Sequence, residues 1–237
     1  MTTSQPSNDS PPLIKVVFFM NRSLAFLGLL CLVSCSSEYD YSKPLDRDPR
    51  EVPFVTTPQV IVDRMLEWCE PNSDDYVLDL GCGDGRIIIT AAKKYGCRGI
   101  GYDIDPKLIN LCRKNAKREG VEDLVEFVQQ DIYEAELPTD ATIVTMYLYP
   151  NMNLRLMPFL QTLKDGVRVV SHRWEMPGVP ELKKEKLTTG VKLLPEADIY
   201  FFKTPMLVDP NWVPPPNEPE EVDFNKIKDK LKFFPGG

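Results

Sequence analysis

The stretch VLDLGCGDGR, Val77 to Arg86, sets glycines at 81, 83 and 85 directly after mostly apolar residues and directly before another apolar run. Glycines at a strand-to-helix turn let bare backbone N–H groups come up to a ligand, beside the electropositive start of the helix. A dinucleotide-binding turn needs G-x-G-x-x-G, whose third glycine allows strand and helix to pack closely. Arg86 stands at that third place, and the glycine falls one residue early, giving D-x-G-x-G-x-G from Asp79. Asp103 lies 22 residues beyond Gly81, at the end of a second apolar segment. An acidic side chain there can accept both hydroxyls of an adenosine ribose. That placement suits any adenosine ligand, so the acid alone does not choose among them.

The D-x-G-x-G-x-G run, Asp79 to Gly85, resembles motif I of class I S-adenosylmethionine (SAM) methyltransferases. By that resemblance Asp131, in VQQDIYE after the third strand, stands where such enzymes place an acid or amide near the adenine amino group. Asp79 falls inside the first strand, and a carboxylate there needs a partner; orienting the glycine turn or meeting the ammonium of SAM would supply one. In open α/β sheets the ligand lies outside the carboxyl ends of the strands at the switch point. The fourth strand runs out through Met146-Tyr147-Leu148-Tyr149-Pro150-Asn151, so Tyr147, Tyr149 and Asn151 are expected to face the transferred methyl group. The tyrosines either wall a narrow slot or are core residues with a wet hydroxyl. A lysine acceptor of ordinary pKa near 10.4 would need about 5 kcal/mol to lose its proton at pH 7, and a dry aromatic slot lowers that requirement by desolvation. Transfer from a sulfonium requires no metal, so catalysis reduces to in-line positioning and exclusion of water.

The bulk composition narrows the alternatives. The chain has 237 residues, 43% hydrophobic and 27% charged, as a folded protein of one or two domains does. A net charge of −7 argues against a phosphate-backbone binder, so no nucleic-acid partner is expected. The six cysteines, at 31, 35, 69, 82, 97 and 112, include no C-x-x-C pair, and His172 is the only histidine. A structural zinc site is not expected from that spacing, and a serine hydrolase would lack its G-x-S-x-G elbow.

The elements that must hold the site alternate. Thr57-Pro58 reads as an N-cap and first helical position, followed by apolar residues at helical spacing. Strands are expected at 76–80, 99–102, 124–128, 142–148 and 167–171, with helices at 86–95 and 106–118, the latter capped by Asp105 and ended by Gly120. Pro158 is expected to split the segment after Asn151 into a short turn and a helix ending before Asp165. Two further strands around Gly190 and Pro195, within 183–203, suit a terminal antiparallel pair. The expected fold is α/β: a doubly wound, mostly parallel, Rossmann-like seven-strand sheet closed by that pair. From Pro205 to residue 237 the chain reads as a proline-rich, acidic, extended tail with at most one short helix, near 226–233.

Together PFVTTP (Pro53 to Pro58), VLDLGCGDGR, GIGYDIDP, QQDIY, TMYLYPNMN and GVRVVSHRW resemble the seven-strand lysine methyltransferases that include the mitochondrial enzymes acting on the ATP synthase c-subunit and the adenine nucleotide translocator. The resemblance covers residues 51–204. It implies that Thr56 and Thr57 help close over SAM, that Gly81, Gly83, Asp103 and Asp131 hold it, and that 147–151 face a protein acceptor, first of all a membrane-protein lysine. A small-molecule methyltransferase, and a tethered SAM-fold module without turnover, are the competing readings.

The N-terminus is a separate object. Arg22 precedes the apolar run Leu24 to Val33, too short to span a bilayer easily and matching the core of a signal peptide. Leu32-Val33-Ser34-Cys35 resembles the lipobox of bacterial lipoproteins, with Cys35 the lipidated residue, and Met20 would be a natural start for such a signal. Residues 1–35 are thus expected to be a leader, signal or membrane anchor and 36–50 a tether. If the leader is not used, a cytoplasmic protein is expected, which is also where SAM is made.

Overall fold

In the computed structural model residues 54–192 and 194–213 are described. The leader with Cys35, the tether 36–50 and the helix expected near 226–233 lie outside the described residues.

Seven strands build one sheet: β1 (Tyr76–Leu80), β2 (Arg98–Asp103), β3 (Val125–Gln129), β4 (Ile143–Met146), β5 (Arg168–His172), β6 (Lys183–Val191) and β7 (Leu194–Lys203). Their order is β3-β2-β1-β4-β5-β7-β6. The first five are parallel, and β7 runs antiparallel to both β5 and β6. This is the expected doubly wound sheet with its antiparallel end. Strand order reverses between β1 and β4, so a crevice opens where their carboxyl ends part.

Four helices are described: α1 (Gln59–Cys69), α2 (Arg86–Tyr95), α3 (Pro106–Glu119) and α4 (Pro150–Leu160). Successive strand residues face opposite ways, which splits the core in two. Val77, Val170 and Phe201 meet Ile61, Met65, Ile88 and Ile109 of α1, α2 and α3 on one face. Leu78, Val169 and Phe202 meet Leu154, Met157 and Leu160 of α4 on the other. Strands buried on both sides must be apolar at nearly every position, which is why they read as continuous runs rather than alternations.

Three local expectations are corrected. Thr57 does not cap α1: Pro58 holds the cap position, its carbonyl accepting from the N–H groups of Ile61 (2.9 Å) and Val62 (3.1 Å). The Thr57 hydroxyl is engaged with His172 instead. Pro158 does not split its segment; it sits inside α4, which is continuous from Pro150 to Leu160. A proline in the last turn removes one N–H bond from a helix that is about to end, while Pro150 at the first position removes none. Finally, β4 stops at Met146 rather than Leu148, because its neighbours end there: Leu80 on one side gives way to the glycine turn, and Ser171 is its last partner on the other. Asp105 does cap α3 as expected, its Oδ1 accepting from the Lys107 N–H at 2.7 Å.

Between Pro205 and Val213 the chain forms no helix, yet Met206 and Val208 are buried on the α4 side. Gln161 Nε2 donates to the Met206 carbonyl at 2.9 Å, and the Trp212 indole lies against Gly178.

The close approach of α2 and the glycine turn to β2 depends on Gly101, where a Cβ would come within 2.7 Å of Cys82 Cβ and 3.0 Å of Ile88 Cδ1. Ile88 Cδ1 ends its side chain, but Cys82 Cβ is fixed to the backbone of the turn, so Gly101→Ala must displace the turn. The expected loss is about 1–3 kcal/mol. Urea unfolding checks it, as a lower midpoint at unchanged slope.

Candidate functional site

Residues 81–85 link β1 to α2, with Gly81, Gly83 and Gly85 at φ +79°, +57° and +78°. L side chains rarely adopt such backbone, so three glycines at alternate positions are a geometric requirement of this turn. The turn is fastened on two sides. Towards β2, the N–H groups of Gly81 and Cys82 donate to the Tyr102 carbonyl at 3.0 and 2.9 Å, and Gly83 N–H donates to Asp103 Oδ2 at 2.9 Å. Towards α3, Cys112 Sγ donates to the Gly83 carbonyl and Asn115 Nδ2 to that of Asp84, both at 3.0 Å.

Asp103 therefore shapes the turn as well as ending β2. Its other oxygen, Oδ1, accepts from the Asp105 N–H at 2.9 Å. Each carboxylate oxygen keeps acceptor capacity for a ligand hydroxyl. Burial raises the Asp103 pKa, with backbone bonds from Asp105 and Gly83 pulling it down and the Asp105 charge adding to the rise.

Asp79 is buried beneath the turn. Its Oδ1 accepts from Thr145 Oγ1 at 2.6 Å, whereas Oδ2 has no hydrogen-bond partner among the described residues. Burial pushes its carboxyl up to about 7 against the Thr145 bond, and the charges of Asp103 and Asp84 push the same way. An orphaned buried carboxylate oxygen amid other acids calls for a cation. A ligand that suits the whole turn thus combines a ribose with positive charge. SAM, with an adenosine, an ammonium and a sulfonium, fits that description, whereas a dinucleotide would bring phosphates to an acidic site.

Arg86, the residue that breaks the dinucleotide pattern, begins α2 and grips Asp84 with Nε (2.8 Å to Oδ1) and Nη2 (2.5 Å to Oδ2). Its Nη1 donates to the Thr57 carbonyl at 2.8 Å. The segment ahead of α1 is thereby drawn over the turn, where a Cβ on Gly83 would meet the Phe54 ring at 2.5 Å. Thr57 is buried within this strap and Thr56 is exposed.

On the other side of the crevice, two aromatic pairs stand at the ends of β4 and β5. Tyr147 and His172 have ring centroids 4.0 Å apart, and Tyr149 and Trp174 have theirs 6.0 Å apart. Asn151 is buried at the start of α4, its Oδ1 accepting from the Met152 N–H at 2.9 Å. Asn153, fully buried, donates from Nδ2 to the Glu175 carbonyl at 3.0 Å and holds the 173–182 loop against α4. Asp131 follows β3 and spends Oδ1 on the Tyr133 N–H at 2.9 Å, shaping its own loop.

The structure thus gathers Asp79, the three glycines, Asp103 and Thr57 around one turn, with Tyr147 and Tyr149 across the crevice; Asp131 borders it at β3. Sequence reasoning missed Arg86 as a clamp, Trp174, Asn153 and the placement of His172. The available signal was SHRW: polar and aromatic residues where an apolar strand ends at the switch point.

A parallel sheet with a glycine turn, a ribose-type acid at the end of β2 and an orphaned acid beneath defines an adenosine-dependent enzyme of the Rossmann-like methyltransferase class. Residues 79–183 match the ANTKMT methyltransferase domain. A protein-lysine N-methyltransferase of Saccharolobus islandicus (strain REY15A) is 44% identical over 129 residues, 54% of this chain and 80% of the relative. A human lysine N-methyltransferase named for the ATP synthase c-subunit is 37% identical over 130 residues, 53% of each chain. Among solved structures, an RNA methyltransferase from Salinibacter ruber in complex with S-adenosyl-L-homocysteine is 41% identical and covers 67% of this chain and 99% of its own, with a TM-score of 0.61. The chain belongs to the ANTKMT-domain family of SAM-dependent methyltransferases.

The titration of Asp79 gives a direct check on the cation-binding role. Its carboxylate is charged above about 7 and neutral below, so affinity for S-adenosylhomocysteine, which carries the same ammonium, falls as pH drops from about 7.5 to about 6. The expected slope approaches about tenfold per pH unit below 7. Calorimetric titration should show Asp79→Asn binding weakly and without that slope.

Proposed function

We propose that this chain is a protein-lysine N-methyltransferase, with Tyr147 and Tyr149 walling the passage through which the lysine reaches the methyl donor. The observation that carries this reading is the paired aromatic wall, Tyr147 with His172 and Tyr149 with Trp174, opposite the glycine turn. It is supported by the 44% and 37% identities to protein-lysine methyltransferases.

When bound, SAM supplies an electrophilic methyl group on a sulfonium, so no metal or acid is required for the donor to react. Asp103 would hold the ribose hydroxyls and Gly81, the exposed glycine of the turn, would lie along the nucleoside, while Gly83 and Gly85 are buried, their N–H groups spent on Asp103 and the Cys82 carbonyl, and shape the turn. Asp79 would accept the ammonium. Asp131 would stand by the adenine, with Thr56 and Thr57 at the mouth of the donor site. Tyr147 and Tyr149 would exclude water from the incoming amine, which lowers its pKa by desolvation and frees the lone pair that attacks. Asn151, buried at the start of α4, would border the acceptor passage next to Tyr149.

The resemblance to the Salinibacter RNA methyltransferase gives the test its second arm. A net charge of −7 is poorly suited to a polyanion. Incubated with methyl-labelled SAM and separate protein and RNA fractions of a cell extract, the chain should place label in protein, recovered as methyl-lysine after acid hydrolysis. Label confined to RNA would overturn the reading. Tyr149→Ala should lower kcat at least about tenfold while S-adenosylhomocysteine affinity stays within about twofold, the mark of a residue on the acceptor side.

The N-terminal run Leu24 to Val33 and Cys35 extend the proposal to a membrane-held enzyme whose substrates include membrane-protein lysines. In a lipobox the run ahead of the cysteine is cleaved away, so the anchor would be the acyl chains on Cys35, and two such chains hold a protein stably where one alone is marginal. The membrane-bound chain should take up labelled palmitate and migrate below its precursor, and Cys35→Ser should abolish both the label and the shift.

A further inference from the structure

The only histidine of the chain sits at the carboxyl end of β5 with no exposed surface. Its Nδ1 lies 3.1 Å from Thr57 Oγ1 across 115 residues of sequence, and its ring packs at 4.0 Å on Tyr147. Its Nε2 is buried without a hydrogen-bond partner among the described residues. A histidine kept only for packing would be an expensive choice here, because a buried ring nitrogen left unpaired costs free energy that a phenyl ring in the same volume would not. The imidazole also stays neutral: burial, and after it the charge of Arg173, push its pKa down to about 3. A neutral ring can stand beside a sulfonium and an incoming amine without repelling either.

We infer that His172 is a positioning residue that latches Thr57 of the donor-side strap to Tyr147 of the acceptor wall, so that closure over SAM and alignment of the acceptor passage occur together. Arg86 holds the same strap from the other side, by the Thr57 carbonyl. Thr57 is thus gripped twice, once by backbone from the glycine turn and once by hydroxyl from β5. The inference rests on the assignment of Thr57 to the donor site.

The test is a double-mutant cycle on S-adenosylhomocysteine affinity, with Thr57→Val, His172→Phe and both together, each checked for an unaltered melting transition without ligand. Each single change should weaken binding about five- to tenfold, and the pair should be no worse than either one, because both remove the same bond. His172→Asn, which keeps a polar atom near the Nδ1 position, should recover most of the affinity. In turnover at saturating SAM, Thr57→Val and His172→Phe should each lower kcat by a similar factor, since either change uncouples the strap from the Tyr147 wall. Additive losses would overturn the latch, as would wild-type affinity for His172→Phe alongside a loss for Thr57→Val. Unchanged affinity for Thr57→Val would overturn instead the placement of Thr57 at the donor. If His172→Phe destabilises the apo protein, His172→Leu takes its place in the cycle.

Discussion

The bond from the Gly83 N–H to Asp103 holds the site together. A chain at positive φ three times in five residues has little intrinsic preference for one path, because glycine is as ready to take φ of either sign as no other residue is. Its shape has to be imposed from outside. The Tyr102 carbonyl, the Asp103 carboxylate, Cys112 and Asn115 impose it, each from an element already fixed by the core. In the proposed donor site the same carboxylate would hold the ribose, so ligand binding and turn geometry would share one residue. Movement of β2 relative to β1 would therefore reach the ligand at once.

The electrostatics of the crevice follow from this arrangement. Asp79, Asp84 and Asp103 lie close enough to raise the cost of ionising Asp79, and Arg86, the cation beside the turn, is committed to Asp84 and to the Thr57 carbonyl. Two of these carboxyls are pushed up in pKa by burial, and Asp79 reaches about 7, which places the acid–base balance of the site near neutrality. Such a site disfavours phosphates and favours a ligand that arrives with its own positive charge. The preference for SAM over a dinucleotide thus has two sources: the turn lacks the third glycine of a phosphate-binding loop, and the acids beneath it would repel what that loop exists to hold.

The glycine turn and the acid beside it were legible in the sequence. Gly81, Gly83, Gly85, Asp103 and Asp105 act through backbone geometry at fixed offsets from strand ends, and offsets survive in a one-dimensional reading. Thr57 was legible as a residue of interest but for the wrong local reason. Its position before Pro58 matches a helix cap, and propensity cannot know that His172 waits 115 residues away to take the hydroxyl. Pro158 misled in the same way, because a proline's effect on a helix depends on how near the end it falls, and that end is set by packing of Leu154, Met157 and Leu160 on the sheet. Arg86, Asn153 and Trp174 were invisible as partners, since each acts on a residue that the fold alone brings close.

These two halves are built by different physics, and that difference bears on how such a family diversifies. Backbone constraint leaves the donor side almost no freedom: a Cβ at Gly83 or Gly85 would strike the Phe54 or Phe127 ring at 2.5 or 2.7 Å, on top of the strain of positive φ. The proposed acceptor side would instead be made of side chains on the emerging ends of β4 and β5 and on the loop that Asn153 holds to α4. Exchanging those side chains alters the width and polarity of the passage without touching the sheet or the turn. In the proposed site, exchanges in the aromatic wall could therefore change acceptor choice while the constrained turn stays as it is.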